Sequence, residues 1–225
     1  ISGNRGARTA ALSSPGNNQS SLVESAVVDN LGADYGALFF HGRVELINST
    51  VAGNRSGYGG YGGISAYTHL IVTHSTLVDN PASAPSMHLG SLTLTNSILS
   101  GLGVCGAPGH WPGVVRISNS FLSDASCIDP ADSNGNLVGN VADVLGGRIE
   151  PPGAPPYFVP VAGGALVDAF PNDCQALLHD QRGVARSQGS GCDIGAIERI
   201  QTEHLLSVEV VGAGQVDSPD SSVNG

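Results

Sequence analysis

The sequence predicts an all-β fold, a right-handed parallel β-helix (solenoid) with an irregular disulfide-containing C-terminal cap. Three observations carry this prediction. The first is composition. Of 225 residues, 32 are Gly and only 12% are charged, against about 7% and about 25% in ordinary domains. The second is an internal repeat. Aligned on Ser25, Ser49, Ser75, Ser97 and Ser120, the chain repeats at spacings of 24, 26, 22 and 23 residues, and a fixed period of this size marks a stacked architecture. The third is alternation within a repeat, as in Leu92-Thr93-Leu94-Thr95-Asn96, the period of a strand with one buried face.

The columns of the repeat justify each element in turn. Three positions before the Ser stand Leu22, Leu46, Val72, Leu94 and Ile117, and five before it stand Val44, Leu70, Leu92 and Val115, with Ser20 in the first repeat. These are the inward positions of one strand. Immediately before the Ser stand Asn48, Asn96 and Asn119, with Glu24 and His74 as exceptions. Two positions after it, Val27, Val51, Leu77, Leu99 and Leu122 face inward from a second strand. Five after it come Asn30, Asn54 and Asn80. The Ser column and this Asn column read as structural ladders, because short polar side chains at corners bond one another and the backbone and tolerate a left-handed turn. Three short strands and three turns per coil account for the repeat length. Five to six coils stacked at about 4.8 Å would make a rod roughly 25–30 Å long.

The pattern dissolves after Ser120. Pro151, Pro152, Pro155, Pro156 and Pro160 forbid a helix or a central strand there. Leu206-Ser207-Val208-Glu209-Val210 alternates again, and Gly212-Ala213-Gly214 reads as a turn into a second strand. The chain divides into coils over 1–125, a cap over 126–199 and the start of a further hairpin module over 200–225. Ile1 and Asn4 fit the tail of an earlier repeat, so the sequence reads as a segment of a longer protein.

Ile47-Asn48-Ser49-Thr50-Val51-Ala52-Gly53-Asn54 and Leu92-Thr93-Leu94-Thr95-Asn96-Ser97-Ile98-Leu99-Ser100-Gly101 resemble coils of the pectin-lyase-like β-helix family, in particular those of polymorphic outer-membrane-type surface proteins. Gly62-Gly63-Ile64 sits where that family has its Gly-rich turn. The stretch from His179 to Glu198 resembles the closing signature of bacterial choice-of-anchor Q domains, and Asn134-Gly135-Asn136-Leu137-Val138-Gly139 and Ala165-Leu166-Val167-Asp168-Ala169 match two further stations of it. Ser187 departs from the usual Pro. The resemblance implies a β-helix at the bacterial cell surface or outside the cell, with its anchor downstream, and names no reaction.

Charge excludes some functions. The nine basic residues are all Arg, and the net charge is −10, which makes a poor nucleic-acid partner because phosphate neutralisation needs basic stripes. No apolar run is long enough to span a bilayer. Gly57-Tyr58-Gly59-Gly60-Tyr61-Gly62 matches a dinucleotide-binding string, but no helical pattern follows it, so it reads as a Gly-rich turn. Asp132-Ser133-Asn134-Gly135-Asn136 has the spacing of half a Ca²⁺ loop and lacks the closing acidic ligand. It reads as an Asx-rich turn. Ca²⁺ is the one cofactor the sequence leaves open, and no metal ligands are assigned. Of His41, His69, His74 and His88 only His74 lies in an aligned column, and exposed polar positions are the expectation for all four. The sequons at Asn18, Asn48 and Asn54 are read as coincidental, with Asn48 in the strand ladder.

Four Cys allow three pairings. Cys105–Cys127 and Cys174–Cys192 are preferred because each closes a loop of modest length. Asp29 and Asp79 share a column two coils apart, about 10 Å by strand spacing, at the edge of the range for an inverting hydrolase. Asp34, Asp124 and Asp129 stand alone. Tyr35, Phe39, Phe40, Tyr58, Tyr61 and Tyr67 precede the aligned strands. Exposed on one face they would bind sugar or protein, whereas buried Phe39 and Phe40 would be core, and the alternation leaves both readings open. Three functions follow. The first is a non-catalytic extracellular or cell-surface adhesive module that displays flat sheets to a glycan or protein partner. The second is a polysaccharide lyase or hydrolase, and the third a subunit that stacks on copies of itself through open coil ends.

Overall fold

Leu, Val and Ile at every second position, interrupted by residues that accept a left-handed backbone, turn the chain in flat steps. A computed structural model describes residues 1–9, 11–34, 36–57, 62–80, 87–101, 114–125, 128, 134–170, 174 and 177–200. After β1 (Arg5–Gly6), the first coil is β2 (Leu12–Ser14), β3 (Ser20–Val23), β4 (Ala26–Val28) and β5 (Leu31–Gly32). The second is β6 (Leu38–Phe40), β7 (Val44–Ile47), β8 (Thr50–Ala52) and β9 (Arg55–Ser56). The third holds β10 (Ile64–Ala66), β11 (Leu70–Thr73) and β12 (Thr76–Val78), and the fourth β13 (Met87–Leu89), β14 (Leu92–Thr95) and β15 (Ile98–Leu99). Then β16 (Val115–Ser118), β17 (Phe121–Leu122) and β18 (Leu137–Val138) extend two of the sheets.

The fold is a parallel β-solenoid of about four turns. Sheet I is β2-β6-β10-β13, sheet II β3-β7-β11-β14-β16 and sheet III β4-β8-β12-β15-β17-β18. A short sheet IV, β1-β5-β9, gives the first coils a fourth side where three strands per coil were expected. Five to six coils were expected; among the described residues four turns are complete, and only sheets II and III continue past β15. Register is one residue on its equivalent throughout, as in Leu46 on Val72 and Leu70 on Leu92. The core inside the coils is made of these stacked side chains, Leu46, Leu70, Val72 and Leu94 among them, all fully buried.

Two columns of left-handed residues make the corners flanking sheet III. Glu24, Asn48, His74, Asn96 and Asn119 have φ between 44° and 51°, and Asp29, Gly53 and Asp79 have φ of 55°, 66° and 52°. Asn48 is therefore a buried corner residue and not part of a strand, as its sequon reading had it. Just past each corner runs a polar ladder. The N–H groups of Ser25, Ser49, Ser75 and Ser97 each donate to the next coil's Ser Oγ at 3.0–3.2 Å. Each of those hydroxyls donates in turn to the carbonyl two residues back. Asn136 ends the ladder, its Oδ1 accepting from Ser120 N at 3.1 Å. The first half of the Ca²⁺-like loop, Asp132 included, lies outside the described residues.

The Asn ladder is denser. Asn4, Asn30 and Asn54 each send both the backbone N–H and Nδ2 to the Oδ1 of the next Asn, at 2.9–3.1 Å. Asn54 Nδ2 also donates to the Val27 carbonyl at 2.8 Å. Asn54 is fully buried, so Asn54→Ala strands donors and acceptors on both neighbouring coils. A loss of about 2–3 kcal/mol is expected, read as a lower urea midpoint at unchanged slope.

The C-terminal region lies along the flank of sheet III. It contains a short 3₁₀ turn (Val141–Asp143) and an antiparallel hairpin, β19 (Leu145–Ile149) and β20 (Tyr157–Pro160). Outward-facing Val28, Ala52, Val78, Ile98 and Phe121 meet Leu145, Phe158, Leu166 and Ile194 in a second core. From β4 to β17, sheet III is thus buried on both faces. The Cys174–Cys192 disulfide lies in this region, as the loop lengths suggested. Cys105 and Cys127 lie outside the described residues, as does the 206–216 hairpin.

Candidate binding face

With sheet III covered, an aromatic cluster stands at the outer face of sheet I and the turns that follow its strands. Leu38 and Phe40 point into the core, at 1% and 3% exposure, while Phe39 between them points out, half-buried. Strand alternation forces this split. Of the two readings left open, Phe40 is core and Phe39 is surface. Phe39 has Ser13 and Ser65 as its neighbours in register, and these small side chains leave its ring standing above the sheet. His41 meets Phe39 edge-on with ring centroids 5.1 Å apart. Tyr67, 41% exposed, packs edge-on against Phe39 at 5.8 Å and tilted against His41 at 5.1 Å. Tyr35, Tyr58 and Tyr61 lie outside the described residues.

His41 was not among the expected binding residues. Its place two residues after Phe39 on an outward face was the available signal. Beside this cluster, His69 Nε2 lies 3.0 Å from Thr93 Oγ1. Burial, then the Arg43 and Arg116 guanidinia, pull His69 below its usual value, and Glu45 opposes them. Arg43 Nη2 in turn donates to Glu45 at 2.6 Å.

The carboxylates proposed for acid catalysis are placed differently. Both Asp29 oxygens accept from Arg148, at 2.9 and 2.7 Å, so Asp29 does not stand as a free partner of Asp79. Gly53 sits between them because a Cβ there would come within 2.3 Å of Asp29 Oδ1, on a backbone with φ of +66°. Asp34 pairs with exposed Arg8 at 3.6 Å, Asp124 is partly buried after β17, and Asp129 lies outside the described residues. Among the described residues no group of three His, Cys, Asp or Glu is placed to hold a metal ion.

His74 overturns the expectation of an exposed polar position, since it is fully buried. The segment 177–198 covers its corner and brings a charged cluster with it. Arg186 Nη2 donates to Asn48 Oδ1 at 2.6 Å and to the Gly195 carbonyl at 3.1 Å, and Nη1 lies 3.5 Å from Glu198. The Arg186 and Glu198 side chains are each 1% exposed. Glu198 accepts from the N–H groups of Gln188 and Asp193, and Asp180 accepts from those of Arg182, Val184 and Glu198. Thr50 Oγ1 donates to Gln181, and Thr76 Oγ1 accepts from Ala196 N. Burial, and next the Arg186 charge, push His74 down to about 3. Burial pushes Asp193 up to about 6, against the N–H groups of Arg199 and Asp168. This cluster fastens the cover to the coils.

No helix among the described residues is long and apolar enough to cross a membrane. No family profile, curated protein or solved structure matches the chain.

Proposed function

We propose that this chain is a non-catalytic display module of an extracellular or cell-surface protein, which binds a glycan or protein partner through the outer faces of sheets I and II. The observation that carries the reading is the Phe39–His41–Tyr67 cluster, three rings in contact at an outward sheet face, with Tyr67 41% exposed. Aromatic side chains with a polar tip suit such a surface, since they bury large area at small entropic cost. The Cys174–Cys192 bond supports an oxidising compartment. The cover supports display over turnover, because it engages Asp29 in fastening the hairpin.

The test is an immobilised panel of cell-surface polysaccharides and glycoproteins, probed with the native chain and with Phe39→Ala/Tyr67→Ala. Saturable binding that falls about tenfold or more in the double variant is expected, the size of a removed aromatic anchor. Binding unchanged by the double variant would sink this face as the site. Time-dependent release of reducing ends or unsaturated sugars would replace the reading with the enzymatic one.

A further inference from the structure

Between sheet III and the β19–β20 hairpin lies a cleft of about 460 Å³, inside the usual range of small-ligand sites. Its floor is Ala52, Val78, Leu145 and Phe158, part of the second core and each at least nine-tenths buried. One wall is Gly146-Gly147, where the register of the hairpin shifts between Leu145 and Arg148. That irregularity places two residues without side chains against the cleft, and a Cβ built on Gly147 meets no atom within 4 Å.

The rim is charged and unbalanced. Arg148 is held by Asp29 at 2.9 and 2.7 Å and by Glu150 at 2.9 Å. Asp79 follows β12 and also lines the cleft, exposed, with no ion pair or hydrogen bond among the described residues. Three carboxylates against one guanidinium leave two negative charges in excess here, on a chain of net charge −10. A field of this sign concentrates cations and repels anions. An apolar floor sheds water from an apolar ligand body, and an aromatic lining residue such as Phe158 suits an ammonium or guanidinium head.

We propose that this cleft binds a small organic cation, an ammonium or guanidinium carried on an apolar body, with Asp79 as its counter-ion. The site is separate from the aromatic face and does not depend on it.

The test titrates the ¹⁵N-labelled chain with phenethylammonium and, in parallel, with uncharged 2-phenylethanol, following backbone amide shifts. Saturable shifts centred on Asp79, Gly146 and Gly147 are expected with the cation. Its affinity should fall about fivefold in Asp79→Asn, the size of a partly exposed charge contact, and should weaken with added salt. Gly147→Leu, which fills the open wall without a left-handed backbone to strain, should abolish the shifts while leaving the fold's spectrum in place. Equal binding of phenylethanol, an unchanged affinity in Asp79→Asn, shifts centred elsewhere, or no saturation by about 10 mM, the millimolar limit of weak binding, would each overturn the proposal.

Discussion

Arg186→Ala is expected to destabilise the protein by about 3–5 kcal/mol, the usual result of removing one partner of a buried ion pair. The substitution leaves Glu198 charged and 1% exposed, and it strips Asn48 Oδ1 and the Gly195 carbonyl of their donor. Most of the loss is this desolvation left uncompensated, and not the attraction itself. Arg8→Ala removes an ion pair whose Arg is 77% exposed and should change stability by less than about 1 kcal/mol. Paired urea titrations check both. Equal small losses would mean that the cover is fastened by its apolar contacts alone.

His74→Asn should reverse the acid response. His74 is held down to about 3 in the folded chain and returns to about 6.5 on unfolding. The stability this neutral imidazole supports is complete above about pH 6.5 and is lost as pH falls, by about 2 kcal/mol at pH 5 and about 4–5 kcal/mol near pH 3. Asp193 acts the other way. Its folded value is raised to about 6, so its buried charge is a burden that fades as pH falls from 6 towards 4, returning about 1 kcal/mol by pH 5. The native chain should therefore lose only about 1 kcal/mol between pH 7 and pH 5. His74→Asn should gain stability over that interval, and Asp193→Asn should lose about 2 kcal/mol. Asn fits the corner, because Asn48 and Asn96 occupy the same column at φ of 47° and 49°. Parallel pH profiles of the native chain and both variants would refute the assignment.

The solenoid is legible in the sequence because its physics is local and repeated. An inward Leu46 dictates Val72 above it, and the same holds for every column, so five repeats state one rule five times. The corner residues are legible only in part: Asn, Asp and Gly turn left-handed at small cost, but the columns put Asn48 in a strand ladder and do not mark Asp29 and Asp79 as corners. Glu24 and His74 break that rule, and nothing local explains the burial of His74. Its environment is supplied by Arg186, more than a hundred residues away, and no periodicity reports such a neighbour. The same applies to Asp29, which looks like a candidate acid beside Asp79 until Arg148 arrives from the hairpin. Phe39 and Phe40 could not be separated by pattern because Leu38-Phe39-Phe40 is apolar throughout; only register against Ser13 and Ser65 decides it.

The cover along sheet III also sets a waiting time for synthesis. In a bare solenoid each coil touches its neighbours only and is complete soon after it is made. Here Thr50 bonds Gln181 across 131 residues, Asn48 bonds Arg186 across 138, and Thr76 bonds Ala196 across 120. At about 5–20 residues per second, the strip of Val28, Ala52 and Val78 waits roughly 6–25 s for the segment that shields it. Throughout that interval the nascent chain carries an adhesive apolar face, so its yield should depend on whatever holds it apart from other chains until residues 177–198 have emerged.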